Sequence, residues 1–272
     1  MSNIWHCTSA DAYELKILSE LLSNNIKIAN FILNKKGLFL TMTDHHKYIS
    51  IDMSLDHDKF SRWELNIPEN ENLYVGINMG QLFKMLKSIK KKDSVDLFIT
   101  KENPMELSIR VTPKDGARNT VSTIKIQNTQ HLKIDLPSNY KKSILLSSSG
   151  YQKSMKDLAD VNTSKVKITA KKFYMCMEVN AGEIMKKKAE FGIESKSDPI
   201  EYEQTFSFEH LTKISKIAGL NTNMQIYYNT NSIPLCFKSM IKNLGNISIY
   251  IKSDEQIEKD KREQNSSESD SE

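Results

Sequence analysis

Lysine side chains recur at intervals of three and four residues along several segments of this chain. Lys84, Lys87 and Lys91 share one such register, and Lys90 lies beside them. Ammonium groups repeated along one face of a helix can contact a row of phosphates without reading base sequence. The same spacing returns twice, at Lys153 with Lys156 and at Lys213 with Lys216. The chemistry that these residues offer is therefore electrostatic binding of a polyanion.

For any one helix, a solvated polar face is the simpler interpretation of such lysines. Against it, the three segments that carry these lysines have few acidic residues: Asp157, Asp160 and Glu209. The sequence also shows no helix-turn-helix, zinc finger or aromatic motif for stacking bases. These features favour contact with a duplex backbone over binding to single strands.

Apolar residues at helical spacing predict the elements that carry the lysines. In residues 78–91 the buried stripe is Met79, Leu82, Leu86 and Ile89. Helices are predicted over residues 10–23, 78–91, 149–161 and 207–218. Strands are predicted over residues 37–44, 95–99, 105–111, 172–179, 224–228 and 234–240. The same order of elements occurs in both halves, which predicts a duplicated α+β chain.

Length and composition fit a globular protein of two domains. The chain has 272 residues, of which 39% are hydrophobic and 26% charged. We expect no secretory leader and no membrane span. The cysteines, Cys7, Cys176 and Cys236, lack metal-ligand spacing, so reduced thiols in a cytosolic or nuclear compartment are expected.

Charge is distributed unevenly along the chain. Residues 253–272 contain eight acidic and three basic residues, which gives this segment a net charge of −5. Because the whole chain has a net charge of +4, residues 1–252 have a net charge of +9. This C-terminal segment is almost free of apolar residues and ends in serines and acids. It is therefore predicted to be a disordered acidic tail.

Sequence motifs for catalysis are absent. There is no phosphate-binding glycine motif after a strand and no zinc-protease motif. His45 and His46, with Asp44 and His57 nearby, lack metal-ligand spacing and are interpreted as turn residues. We expect no enzyme activity, no metal and no cofactor.

Short segments spread along the chain carry a family resemblance. They are Gly37-Leu-Phe-Leu-Thr-Met-Thr-Asp44, Tyr74 to Lys87, Lys156-Asp-Leu158, Ile233-Pro-Leu235 and Leu244 to Tyr250. In order and spacing they resemble the sliding clamps of the proliferating cell nuclear antigen (PCNA) family, over about residues 10–251. The resemblance implies an α+β DNA-clamp fold that forms rings, with two similar domains, each of two helices packed on antiparallel sheets. The divergence and the composition rich in Lys, Asn and Ile are compatible with a viral or protist origin.

The resemblance also implies a DNA-binding inner surface. Positions that are basic on the family's inner surface are occupied by Lys16, Lys84, Lys87, Lys153, Lys156 and Lys216. Helical phase alone adds Lys90, Lys91 and Lys213 as candidates.

Residues 127–140 form a linker between the halves, and an ordinary connector is the simpler interpretation. The resemblance implies an interdomain connecting loop that borders a pocket for partner peptides. The implied pocket residues are Thr43, Tyr48, Ile134, Leu136, Pro137, Tyr140, Pro234 and Tyr250. Thr43 replaces a usual apolar residue, and Lys252 and Ser253 replace a small residue and a proline, so partner motifs are expected to differ.

Subunit contacts in the family join two strands, here expected over residues 120–126 and 183–191. The implied interface residues are Thr120, Ser122, Ile124, Ile184, Lys186 and Lys188. The predicted divisions are an N-terminal domain over 1–126, the loop over 127–140, a C-terminal domain over 141–252 and the tail over 253–272.

The implied function is that of a homotrimeric sliding clamp that encircles duplex DNA as a polymerase processivity factor. Implied partners are a DNA polymerase, other replication and repair proteins, and a clamp loader. The expected location is the nucleus or a cytoplasmic viral replication site. One alternative is a clamp fold repurposed as a viral transcription factor or checkpoint-type regulator. Another is a non-enzymatic regulator whose repeats are coincidental.

Overall fold

A computed structural model describes residues 2–116, 118–140, 142–195, 197–229 and 233–269. The helices are α1 (Ala12–Ser23), α2 (Met79–Leu86), α3 (Ser148–Ala159), α4 (Phe208–Lys213) and α5 (Asp254–Ser269). The strands of the first half are β1 (Asn3–Ser9), β2 (Ile28–Asn34), β3 (Gly37–Thr43), β4 (Ile49–Asp56), β5 (Arg62–Leu65), β6 (Leu73–Asn78), β7 (Ser94–Thr100), β8 (Glu106–Thr112) and β9 (Thr120–Lys125). The strands of the second half are β10 (Lys142–Ser147), β11 (Lys165–Lys171), β12 (Tyr174–Asn180), β13 (Lys186–Gly192), β14 (Tyr202–Ser207), β15 (Asn223–Tyr228), β16 (Leu235–Ile241) and β17 (Gly245–Ile251).

The sheet topology shows the duplication. Three antiparallel sheets have the strand orders β5-β1-β7-β8-β9, β10-β15-β16-β17-β4-β3-β2-β6 and β13-β12-β11-β14. The set β10-β15-β16-β17 repeats β1-β7-β8-β9, and β13-β12-β11-β14 repeats β4-β3-β2-β6. The β2–β3 and β11–β12 hairpins both close with two-residue turns, at Asn34↔Gly37 and Lys171↔Tyr174. The two-domain α+β clamp fold predicted from the sequence is confirmed.

The central sheet joins the two halves. Its junction is the antiparallel pair β17–β4, which runs from Gly245↔Leu55 to Ile251↔Ile49. In the duplication, β9 corresponds to β17 and β13 corresponds to β4. Within the described residues β9 and β13 are edge strands, each hydrogen-bonded on one side. β9 and β13 therefore each keep one edge free for pairing, whereas their counterparts β17 and β4 pair with each other.

A layer of helices covers one side of the sheets. α1 packs against α2 and against a 3-10 turn over Ser215–Gly219, and α3 packs against the same turn. The predicted stripe of Met79, Leu82, Leu86 and Ile89 is buried in this layer. Such apolar stripes supply most of the stability of short helices. The layer is continuous across both halves of the chain.

Two predicted helices are shorter than expected. α2 ends at Leu86, because the Asp93 carboxylate accepts hydrogen bonds from the backbone amides of Lys90 and Lys114 and holds the chain in a turn. α4 ends at Lys213 and the chain continues as the 3-10 turn. At the other end of α2, the Asn78 side chain accepts from the Gln81 amide at 3.0 Å and caps the helix.

The prediction of a disordered tail is wrong for residues 254–269, which form α5. Ser253 and Gln256 make a reciprocal capping box: the Ser253 amide donates to Gln256 Oε1 at 2.8 Å, and the Gln256 amide donates to Ser253 Oγ at 3.2 Å. Ile257 is only 9% exposed, so one apolar side chain anchors the first turn. The last predicted tail residues, 270–272, lie outside the described residues.

The segments that follow each repeat cover an open sheet edge. After β9, Gln127 forms an antiparallel bridge with Gly76 on β6. After β17, the Glu255 carboxylate accepts from the Thr205 amide of β14 at 3.1 Å. A Cβ on Gly76 would lie 2.3 Å from the Gln127 carbonyl oxygen, so glycine permits this close approach. Both contacts use backbone groups that would otherwise offer an aggregation-prone edge.

No helix in the described ranges is long and apolar enough to span a lipid bilayer.

Candidate nucleic-acid interface

Six of the predicted lysines lie exposed on the helix layer, on or after α2 and on α3. Within the described part of the chain none of them pairs with a carboxylate. They are Lys84, Lys87, Lys90, Lys91, Lys153 and Lys156. Free ammonium groups on a rigid surface are suited to phosphates, because no internal ion pair has to break first.

Lys16 serves a mainly structural purpose. Its half-buried side chain donates from Nζ to the Ile89 carbonyl at 2.9 Å, which ties α1 to the turn after α2. The same Nζ lies 5.4 Å from the centre of the Tyr13 ring, and Lys91 Nζ lies 5.8 Å from that ring. The Tyr13 ring thus makes a cation–π contact with each of these two lysines.

Lys213 and Lys216 are neutralised by acidic side chains. Lys213 Nζ lies 2.6 Å from Glu209 within α4, and its hydrogen bond lowers the pKa of the Glu209 carboxyl. Lys216 Nζ lies 2.7 Å from Glu20 of α1. Lys213 is a candidate from helical phase and Lys216 from the family resemblance, and neither argument indicates these ion pairs. The positive charge of the predicted surface is therefore unevenly distributed: most of its described lysines without an ion pair lie near α2 and α3.

A row of cross-strand neighbours lies on the opposite face of the central sheet. Strand register aligns them from β3 to β15: Thr43, Ser50, Tyr250, Cys236 and Tyr227. Because side chains alternate along a strand, this row faces away from the core-facing Ile49, Ile51, Ile249 and Ile251. The row forms the floor on which the linker ends.

Tyr140 holds the linker to this floor. Its hydroxyl donates to the Pro234 carbonyl at 2.5 Å, and its ring centre lies 6.3 Å from that of Tyr250 and 6.1 Å from that of Tyr227. Burial raises the pKa of Tyr250 to about 12, so its phenol stays neutral. The structure thus brings together three predicted pocket residues, Tyr140, Pro234 and Tyr250, and places Thr43 two strands away in the same row.

The other predicted pocket residues are less closely gathered. Ile134, Leu136 and Pro137 are half-buried along the linker, which forms no helix or strand there. The Tyr48 carbonyl accepts from the Lys252 amide at 3.0 Å, but the Tyr48 ring turns towards His46 and His210, with ring centres at 5.5 and 5.7 Å. Tyr48 therefore contacts α4 of the second half and lies at the side of the floor.

The predicted interface residues differ in their surroundings. Ile124 is buried against its own core, whereas Thr120 is exposed and Ser122 is half-buried on β9. Lys186 and Lys188 both pair with Glu178 on β12, at 2.8 and 3.1 Å, and stand on the exposed face of β13. Ile184 does not lie in a strand as predicted, because β13 begins at Lys186; it is 92% exposed in the preceding turn.

His210 and Lys238 were not predicted from the sequence. His210 is half-buried against Tyr48, and Lys238 Nζ lies 4.9 Å from the centre of the Tyr227 ring. The contact of His210 with Tyr48 joins elements far apart in sequence, and that of Lys238 with Tyr227 depends on the register of the β15–β16 pair, so no local pattern indicates either. The described residues contain no group of three side chains able to hold a metal ion.

The fold and its surfaces define a clamp-type protein, with a continuous helix layer on one side and a linker-bordered floor on the other. A family model for the proliferating cell nuclear antigen, N-terminal domain, matches residues 8–136. A DNA polymerase sliding clamp 1 from Thermococcus kodakarensis is 25% identical, over 88% of this chain and 94% of the relative. A probable DNA polymerase sliding clamp 1 from Paramecium bursaria Chlorella virus 1 is 21% identical, over 91% and 96%. The crystal structure of the Entamoeba histolytica proliferating cellular nuclear antigen superposes with a TM-score of 0.79 at 16% identity, covering 92% of this chain and 99% of that one. The chain therefore has the fold of the PCNA-type sliding clamps, and its first half matches the N-terminal domain of that family.

Proposed function

We propose that the protein is a sliding clamp that closes as a homotrimer around duplex DNA and tethers a DNA polymerase. The observation that carries this proposal is the β17–β4 junction inside the chain. Its duplicated counterparts, β9 and β13, are edge strands of two different sheets, and each has one unpaired edge within the described residues. Head-to-tail pairing of β9 with β13 of the next copy would repeat the internal junction and remove both edges.

The helix layer is the proposed DNA-facing surface. Its free ammonium groups, on and after α2 and on α3, are matched to a phosphate backbone. Contacts of this kind do not depend on base sequence, so the protein could move along the duplex. Tethering then raises the polymerase's effective concentration at the template without any catalysis by the clamp.

The linker-bordered floor is the proposed docking site for partner peptides. At this floor the Tyr140 side chain contacts both Pro234 and Tyr250. An apolar side chain of the partner, inserted between Tyr140 and Leu136, would supply most of the partner's affinity. Replication and repair proteins are the proposed partners, and a separate ATP-driven loader is proposed to open the ring. We also propose the domain division at residues 126, 140 and 252, and action at the site of DNA replication.

The first test is the molar mass in solution, by light scattering coupled to size exclusion. A closed homotrimer has a mass of about 94 kDa, three times the 31.2 kDa of one chain. A monomer at all protein concentrations and moderate salt would contradict the ring. The regulator alternative would then gain support.

The second test is stimulation of a polymerase on primed circular DNA. The variants Lys84→Glu with Lys87→Glu, and Lys153→Glu with Lys156→Glu, should abolish stimulation while the trimer mass is retained. The matched control changes Lys36 and Lys101 to Glu, because both are exposed lysines in turns outside the helix layer. If all three variants stimulate the polymerase equally well, the lysines of the helix layer do not contribute to that stimulation.

A further inference from the structure

A basic cleft lies beyond the end of α2, where the chain turns before β7 and again between β8 and β9. Its cations are Lys90, Lys91, Lys114 and Arg118, and they outnumber the one exposed acidic residue of the lining, Asp115; the hydroxyl groups of Ser88 and Thr120 also line it. All four cations are exposed. Within the described ranges none of them forms an ion pair with a carboxylate.

Asp93 builds this cleft. Its side chain is buried, with 7% exposure, and each carboxylate oxygen accepts one backbone amide. Oδ2 accepts from Lys90 at 2.8 Å and Oδ1 accepts from Lys114 at 3.2 Å. One carboxylate thus fixes two turns that are distant in sequence, and it does so through backbone amides. The ammonium groups of both lysines stay available to a ligand.

The cleft continues the helix layer. Lys91 lines the cleft and also lies against the Tyr13 ring of α1, and Lys87 immediately precedes Ser88. The far wall of the cleft ends at Thr120, the first residue of the open edge strand β9. A polyanion that follows the lysines of α2 would therefore meet further cations, Lys90 and Lys91, at the entrance of the cleft.

We propose that this cleft binds a backbone phosphate of the duplex, as an extension of the helix layer towards the subunit boundary. The inference rests on the proposed function and adds Lys114 and Arg118 to its DNA-contacting residues. The guanidinium of Arg118 offers a planar pair of donors that matches two phosphate oxygens. Lys90, Lys91 and Lys114 supply surrounding charge, and the hydroxyl groups can donate to the remaining oxygen.

The test measures duplex binding by the full-length wild type and its variants at several salt concentrations. Binding is followed by the fluorescence anisotropy of a labelled linear duplex. The variant Lys114→Ala with Arg118→Ala should bind more weakly, and its plot of log K against log salt should be less steep by about 0.9 for each phosphate that the variant no longer neutralises. Lys36→Ala with Lys101→Ala is the matched control and should retain the wild-type slope. Arg118→Lys alone should keep the charge and most of the slope.

An unchanged slope in the Lys114 and Arg118 variant, with a reduced slope in Lys84→Glu with Lys87→Glu, would overturn the cleft and leave the proposed function standing. Unchanged slopes in both variants would count against the helix layer itself. The second probe is inorganic phosphate, whose binding is detected by changes in the NMR chemical shifts of the Lys90 and Lys114 amides. Saturable phosphate binding without an effect on duplex binding would assign the cleft to free phosphate and overturn the duplex assignment.

Discussion

The ammonium of Lys216 lies 2.7 Å from the carboxylate of Glu20, and this ion pair connects the two halves of the chain. Glu20 belongs to α1 of the first half, and Lys216 belongs to the 3-10 turn of the second. The pair joins the helix layer at its centre and also removes one positive charge from it. A single ion pair therefore affects both the cohesion of the chain and its electrostatic surface.

Replacing Glu20 with Gln should increase the affinity for duplex DNA several-fold at low salt. The change releases the Lys216 ammonium to bind a phosphate, which also steepens the salt dependence by about 0.9. Anisotropy titrations at several salt concentrations measure both effects. Glu209→Gln is the matched control, since it frees Lys213 without breaking an ion pair between the halves. Equal or weaker binding by the Glu20 variant would show that Lys216 does not meet DNA.

Replacing Tyr140 with Phe should loosen the end of the linker while keeping the ring. Removal of the hydrogen bond to the Pro234 carbonyl is expected to lower the free energy of unfolding by about 1 kcal/mol. Partner-peptide affinity should fall less than in Tyr140→Ala, which also removes the ring packing against Tyr250. Chemical denaturation and peptide titration provide the two readouts. Tyr227→Phe is the control, because its hydroxyl donates to Gln225 on the same strand. Identical peptide affinity in Tyr140→Ala and the wild type would place the pocket elsewhere.

Replacing Ser253 with Ala should fray the start of α5 at a cost of about 1 kcal/mol, the usual effect of losing an N-cap. The Thr205 amide reports this directly, because it donates to Glu255 in the first turn of α5. Its hydrogen exchange should become faster in the variant. Lys261→Ala, an exposed change later in the same helix, should leave that amide protected. Unaltered exchange at Thr205 would show that the capping box does not hold α5 against β14.

The free energy of unfolding should decrease as the pH falls, because protonation of His210 destabilises the folded state. Burial is the largest cause that lowers the pKa of His210 below its ordinary 6.5, and Lys213 adds to it, whereas Asp44, Glu209 and Asp254 oppose it. Because the folded pKa is depressed, protons bind the unfolded chain more readily. The stability contributed by neutral His210 is present above pH 6.5 and is lost as pH falls from there through the folded pKa.

Thermal unfolding between pH 8 and pH 5 tests this, with His210→Phe as the variant, because Phe keeps an aromatic ring beside Tyr48. The melting temperature of the variant should fall less between those limits than that of the wild type. His131→Phe, a change at an exposed histidine in the linker, is the control. Parallel curves for all three proteins would rule out His210 as the titrating group.

Local patterns predict the elements of this fold better than the contacts between them. The buried stripe of Met79, Leu82 and Leu86 predicts α2, because the spacing of buried residues is a local property. The partner of Lys216 is not predictable in this way, since Glu20 is brought close only by the packing of two halves. The basic cleft was likewise missed, because Asp93 joins turns separated by β7 and β8.

The tail shows a different cause of error. Composition indicates disorder over residues 253–272, and that argument neglects a short local signal. Ser253-Asp-Glu-Gln256 has the spacing of a capping box, and Ile257 follows it at once. A cap and one buried apolar residue are enough to start a helix on an existing surface, whatever the mean composition beyond them.

The β17–β4 junction has a consequence for geometry on a larger scale. If copies join through β9 and β13 as the halves join through β17 and β4, every junction contributes a similar rotation. A small angular error at one junction would then recur at all of them and accumulate. Since head-to-tail interfaces form rings when the rotations close and helical filaments when they do not, a change in the twist between the halves would convert a circle into a spiral.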